Sequence, residues 1–132
     1  MKSKDVLNAP IIIEDAETSG KNPFFDQHLS SAKIRIHEDK VVDSFYQECR
    51  CENSRIPSPK ALFVNGLSTK TLSEGQPLNN LLKADYDFVN QYPDDFILAH
   101  NAKFDFNFTL NASEITPRLK MMEFTSVFFI FL

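Results

Sequence analysis

The chain has 132 residues, 42% hydrophobic and 24% charged, with a formal net charge of −4 and a pI near 5.3. That composition excludes a disordered polymer, and the acidic balance argues against binding nucleic acid by massed Lys and Arg. Neither the Ile11–Ile13 run nor the apolar Val127–Leu132 end is long enough to cross a bilayer, so a soluble, cytoplasmic protein without a membrane partner is expected.

From the N-terminus, Ala9–Glu17 reads as a buried strand, a β-branched run leading into acids. Gly20, Asn22 and Pro23 mark a loop. Ser31–His37 alternates, with Ala32, Ile34 and Ile36 on one face, and Val41–Cys49 is a further strand joined to it through Glu38-Asp39-Lys40. Pro57 and Pro59 close the extended region, and a short helix over Ala61–Val64 is stopped by Asn65-Gly66. Pro77 opens a helix in which Leu78, Leu81, Leu82, Phe88 and Val89 recur at helical spacing, ending before Pro93. Phe96–Ala99 is a short strand closed by His100-Asn101, and Phe104 starts a helix running to about Ile115. The order is three strands, a helix, a strand and a helix. It describes an α/β or α+β layout in which a parallel strand joins a hairpin-built sheet.

Cys49 and Cys51 have no second Cys/His pair at zinc-ligand spacing and read as reduced thiols. His28 and His37 also lack such partners and are expected at the surface. His100, beside Asn101, is expected to make structural hydrogen bonds.

Asp15 and Glu17 close the first strand and, at a period of two, project from one face, with Glu14 opposite. Two carboxylates that close either raise their own pKa or recruit a cation; two solvated acids at a strand end are the plain alternative. Asp105 follows the fourth strand in the first turn of a helix, where an acid also meets the positive end of the helix dipole.

Taken together, three segments resemble those of the DEDD (DnaQ-like, RNase H-like) superfamily of 3′–5′ exonucleases. Asp15-Ala16-Glu17-Thr18-Ser19-Gly20 is similar to its Asp-x-Glu-Thr-x-Gly motif after an apolar strand. His100–Asp105 is similar to His-Asn-Ala-x-Phe-Asp, and Pro59–Leu67 to the intervening Pro-x-Ala-x-x-Val-x-Gly-Ile/Leu segment. The resemblance implies an RNase H-like mixed sheet flanked by helices and a site holding two Mg²⁺ or Mn²⁺ ions. Asp15, Glu17 and Asp105 would be the metal ligands, and Thr18, Asn65 and Phe104 would meet the 3′ end of a nucleic acid, DNA ahead of RNA. The family's third motif, an acid with a His or Tyr base, has no counterpart: after Asp105 there is no Asp, His or Tyr. The expectation is therefore a partial exonuclease domain over 1–116 with impaired activity, and an apolar tail over 117–132 that reads as a cut-off strand or an out-of-frame end. The alternative is a non-catalytic remnant that binds nucleic acid or a protein partner.

Overall fold

The structure, a computed structural model, describes residues 8–52, 57, 66–100, 108 and 128–131. Three strands form an antiparallel meander: β1 (Ile11–Thr18), β2 (His28–His37) and β3 (Lys40–Glu48). The β2–β3 turn is two residues long, with Glu38 and Asp39 at φ 52° and 61°. Paired positive φ values match the right-handed twist of the flanking strands. Two helices follow, α1 (Thr69–Glu74) and α2 (Leu78–Asn90), then β4 (Phe96–Ala99) and β5 (Phe128–Phe131). The sheet order is β3-β2-β1-β4-β5; β4 runs parallel to β1, and β5 parallel to β4.

These elements match the sequence expectations closely, with β4 at the same bounds and α2 ending before Pro93. In the C-terminal segment, Phe128–Phe131 is the outer strand of the same sheet. Helix α1 was not expected, because six residues with one buried apolar side chain, Leu72, show no helical period. Its sequence signal is Ser68, whose hydroxyl caps the helix by accepting from the Thr71 amide at 3.1 Å. The helix expected over Ala61–Val64 lies outside the described residues. So does the one expected from Phe104 to Ile115, except for Phe108, which has helical backbone and is buried. Among the described residues, no helix is long and apolar enough to cross a membrane.

The core lies between one sheet face and α2. Ile12 and Ile97 from adjacent parallel strands meet Phe88 and Val89, with Phe45 and Tyr92 packed at the margin. Cys49, a free thiol just beyond β3, packs with Leu81 and Leu82. Burial pushes that thiol up to about 12, so it behaves as a small apolar side chain.

The alternation in β2 is present, but the face that α2 covers is the polar one. Lys33 is 2% exposed and Ser31 1%, whereas Ile34 is 37% exposed. The cause sits on the helix. Asp85 occupies the buried stripe of α2, one turn from Leu81, Leu82, Phe88 and Val89, and pairs with the Lys33 ammonium. Ser31 Oγ donates to Asp85 Oδ1 at 2.6 Å and accepts from Lys33 Nζ at 3.0 Å. Glu14, on β1 opposite Lys33, completes the cluster at 3.5 Å. The carboxylates are unequal. Burial raises Glu14, and Lys33 offsets this only in part; for Asp85 the ammonium overcomes burial and holds the carboxyl below its usual range. Lys33 stays protonated because Asp85 and Glu14 outweigh its own desolvation. A second network secures the same face: Arg35 Nε donates to Asp95 Oδ2 at 2.6 Å, with the guanidinium stacked 4.1 Å from the Tyr92 ring centroid. The Tyr92 hydroxyl donates to Asp43.

His28 departs from its expected surface position. It is 4% exposed at the start of β2, with Phe108 edge-on at a centroid distance of 5.7 Å. A bulge at Leu29, between the Glu17–Ser30 and Thr18–His28 pairs, accompanies this placement. Burial lowers the imidazole pKa from 6.5 to about 4; Asp85 opposes the shift and Lys33 adds to it.

Two stability predictions follow from these buried charges. Lys33→Met strands two carboxylates in the core and should cost about 3–5 kcal/mol in denaturant unfolding. Adding Glu14→Leu and Asp85→Leu to that variant should recover most of the loss; a Lys33→Met protein as stable as the wild type would refute the buried ion cluster. For His28, both folded and unfolded states are neutral above pH 6.5. As pH falls toward 4 the unfolded state takes up a proton that the folded state refuses, so stability is lost in that window. At about 1.4 kcal/mol per pKa unit, the loss reaches roughly 3 kcal/mol. The wild type should therefore lose more stability than His28→Phe between pH 7 and pH 4.5, and equal losses would show that the folded ring takes up protons freely.

Candidate active site

The two acids of the first motif stand where a period of two puts them. Asp15 lies opposite Ala32 and Glu17 opposite Ser30, so both project from the sheet face away from Lys33, Glu14 and α2. Asp15 is exposed and Glu17 half-buried. Partial burial and the neighbouring Asp15 charge both raise the Glu17 carboxyl above its usual range. A cation between these side chains would relieve that repulsion, and two hard carboxylate oxygens suit Mg²⁺ or Mn²⁺. The donor set therefore fits the expected ions. Among the described residues, no group of three or more His, Cys, Asp or Glu converges on a metal position. Asp105, the expected third ligand, lies outside the described residues, as do Asn65 and Phe104.

What the fold contributes is the meeting of two strand ends. Glu14 lies opposite Ala99 in the parallel β1–β4 pair, so β4 ends level with the acids and the exposed His100 follows directly. β1 runs on to Thr18, so the segments that follow the two parallel strands leave the sheet on the same side, the usual place for a site in open α/β folds.

On the other side of the acids, the loop from Ser19 to Gln27 is braced by Asp26. Its Oδ2 accepts from the Asn22 amide at 2.9 Å, and its Oδ1 accepts from the Ser19 hydroxyl at 3.2 Å. Ser19 Oγ accepts in turn from the Gln27 amide at 3.0 Å. Gly20 leaves room for this brace, since a Cβ there would lie 2.4 Å from Asp26 Oδ2 and displace its carboxylate. Thr18 joins the motif to the loop, its hydroxyl donating to the Gly20 carbonyl at 2.6 Å. The loop tip presents Phe24 and Phe25, both exposed. Buried Gln27 clamps the site to the end of β3: its Nε2 donates to the Arg50 carbonyl at 2.8 Å, and its Oε1 accepts from the Glu52 amide at 2.7 Å.

Sequence reasoning passed over one further pair on the acidic face. Tyr46 lies opposite Ala32 and Glu48 opposite Ser30, which extends the rows that begin at Asp15 and Glu17. The Tyr46 hydroxyl donates to Glu48 Oε1 at 2.6 Å. That hydrogen bond, with burial and the charges of Glu48 and Glu17, pushes the phenol up to about 12, so Tyr46 is no base near neutrality. The available signal was the alternation of Ser44, Tyr46 and Glu48 along the strand, which assigns all three to one face.

No protein-family model matches the chain. The PolC-type DNA polymerase III of Thermotoga maritima is 27% identical over 101 residues, covering 76% of this chain and 7% of the polymerase. That of Streptococcus pyogenes is 28% identical over 109 residues, covering 83% and 7%. The chain thus spans only a small part of the curated relatives it matches. Among solved structures, E. coli exonuclease I in complex with a 5cy-dA13 oligonucleotide superposes with a TM-score of 0.72 at 20% identity, covering 94% of this chain and 28% of that one. A product-bound exonuclease I gives a TM-score of 0.70 at 22% identity, covering 81% and 25%. The mixed sheet, with Asp15 and Glu17 on its central strand, has the RNase H-like α/β fold of exonuclease I.

Proposed function

We propose that this chain is part of a metal-dependent 3′–5′ exonuclease domain acting on nucleic-acid phosphodiester bonds. The observation that carries the reading is the outward placement of Asp15 and Glu17 on one sheet face, level with the end of parallel β4. In this reading Asp15 and Glu17 hold divalent cations with Asp105, which the segment after β4 would supply. Such ions, when bound, stabilise the charge on the attacking and leaving oxygens of an in-line displacement. Glu17 and Thr18 position the terminal nucleotide, and Asn65 and Phe104 enclose its 3′ end. The hydrogen-bonded loop at Gly20 keeps the backbone after Thr18 in one conformation, so little ordering remains for substrate binding.

DNA is the favoured substrate. E. coli exonuclease I, which shares the fold, has been solved with single-stranded DNA in a metal-free and a zinc-bound form, which supports a divalent metal here as well. The identity of the ion, the polarity of cleavage and the choice of DNA over RNA belong to this proposal.

Calorimetry with the 132-residue chain should show weak Mg²⁺ or Mn²⁺ binding that Asp15→Asn removes; binding unchanged in that variant would place the ions elsewhere. Activity carries a separate expectation. No Asp, His or Tyr follows Asp105 in this chain to complete a metal shell or to activate water. A missing general base alone is worth about 10²–10⁴ in rate. The chain by itself should therefore trim a 3′-ended oligonucleotide very slowly or not at all, and appending an intact third-motif segment should raise the rate by orders of magnitude in an Asp15-dependent way. Vigorous Mg²⁺-dependent trimming by the chain alone would refute the impairment. An appended chain that binds metal and stays inactive would favour the non-catalytic binding alternative.

A further inference from the structure

Tyr46 is an exposed aromatic side chain on the same sheet face as the acid pair, and its setting differs from that of a residue merely left in solvent. The residue is 63% exposed, yet its hydroxyl is tied to Glu48. The other Glu48 oxygen accepts from the Thr71 hydroxyl at 3.2 Å, and Thr71 is bonded to Ser68 at the start of α1. The ring is thus held at its polar end by a chain of hydrogen bonds running into a second element, while its body stays open. Across the sheet only Ala32 separates it from Asp15. At roughly 4.8 Å per strand spacing the two backbones are about 10 Å apart, and the methyl group of Ala32 leaves the floor between them low.

We propose that Tyr46 is a stacking platform for one unpaired nucleobase of a single strand whose terminal phosphodiester lies at Asp15 and Glu17. The inference rests on the nuclease reading and adds to it a subsite and a preference for single strands. An aromatic face is sequence-tolerant, since every base has a π-face to offer. The surrounding charge selects the base rather than the backbone. Glu48 and Glu17 both act on the phenol, so a phosphate at its tip would meet two carboxylates. A duplex offers no unpaired base at this position, whereas a single strand bends its base onto the ring and keeps its phosphates toward the cations of the acid pair. Because the ring is already held, stacking costs little side-chain entropy.

The full chain can report on this directly, because it has three Tyr and no Trp, so tyrosine emission is readable. Titration with a short 3′-ended deoxyoligonucleotide in Mg²⁺ should quench that emission saturably in the wild type and not in Tyr46→Leu. Affinity should fall about 5- to 100-fold in Tyr46→Leu, the weight of one base stack, and stay within about twofold in Tyr46→Phe, which keeps the ring. An oligonucleotide with one abasic position at the stacked base should bind the wild type more weakly by a similar factor and leave Tyr46→Leu unaffected. Equal losses in the Phe and Leu variants would assign the residue to the Glu48–Thr71 hydrogen bonds and overturn stacking. Wild-type affinity in Tyr46→Leu, with Mg²⁺-dependent binding that still needs Asp15, would overturn the subsite and leave the nuclease reading standing. Absence of oligonucleotide binding by the wild type would overturn both.

Discussion

One buried ammonium group organises this protein. Lys33 lies in the middle of the sheet face that α2 covers, where an unpaired charge would be far too costly, and Asp85 and Glu14 answer it from a helix and a neighbouring strand. The consequence for β1 is a fixed register. A slip of one residue would send Glu14 outward and bury Asp15 beneath the helix, reversing both faces at once. The inward acid therefore determines which way the outward acids point. An all-apolar strand interior would pack as well, but it would specify this choice less sharply.

The same alternation produces two very different environments on neighbouring residues. Glu14 has a cation within reach and is nearly sealed from water, whereas Asp15 and Glu17 face outward in the rows of Tyr46 and Glu48. Within four residues the strand thus holds one carboxylate paired with a lysine and two for which the described residues supply no ion pair. A scaffold that compensates every acid has nothing left to hold a cation; here the compensation stops at the face where a ligand can arrive. The hydrogen-bonded turn at Gly20 and the Gln27 clamp keep that face in place from the other side.

Much of this was legible in the sequence because it depends on short periods. The β-branched run ending in Asp15 and Glu17, the β2–β3 turn, the Pro77 start of α2 and the four residues of β4 all carry their own signals. The paired outward acids followed from the period of two alone. What was not legible depends on partners distant along the chain. Asp85 looks like a polar gap in an apolar stripe until Lys33 is set opposite it, and Lys33 looks like an exposed strand cation until a helix covers it. His28, between Gln27 and Leu29, carries no local sign of burial, and the ring that packs against it, Phe108, is far away in sequence. Tyr46 and Glu48 read as an ordinary edge-strand pair, because nothing local places them in the rows of Asp15 and Glu17.

The sheet order also sets a sequence of events in folding. The β1–β2–β3 meander closes through short connections, but Ile11 meets Phe96 and Phe96 meets Phe128 only after long stretches of chain have been brought together. Loop closure over such separations is slow, and parallel pairings of this kind dominate the folding time of mixed sheets. Until β4 docks, β1 has one satisfied edge and one bare edge of unpaired amides and carbonyls, carried by the apolar stretch Ile11–Ile13, an invitation to pair with another copy. Glu14 can reach Lys33 within the meander, whereas Asp85 arrives only with α2. A chain in which the meander forms before α2 and β4 dock therefore carries a sticky central strand and a central charge half answered.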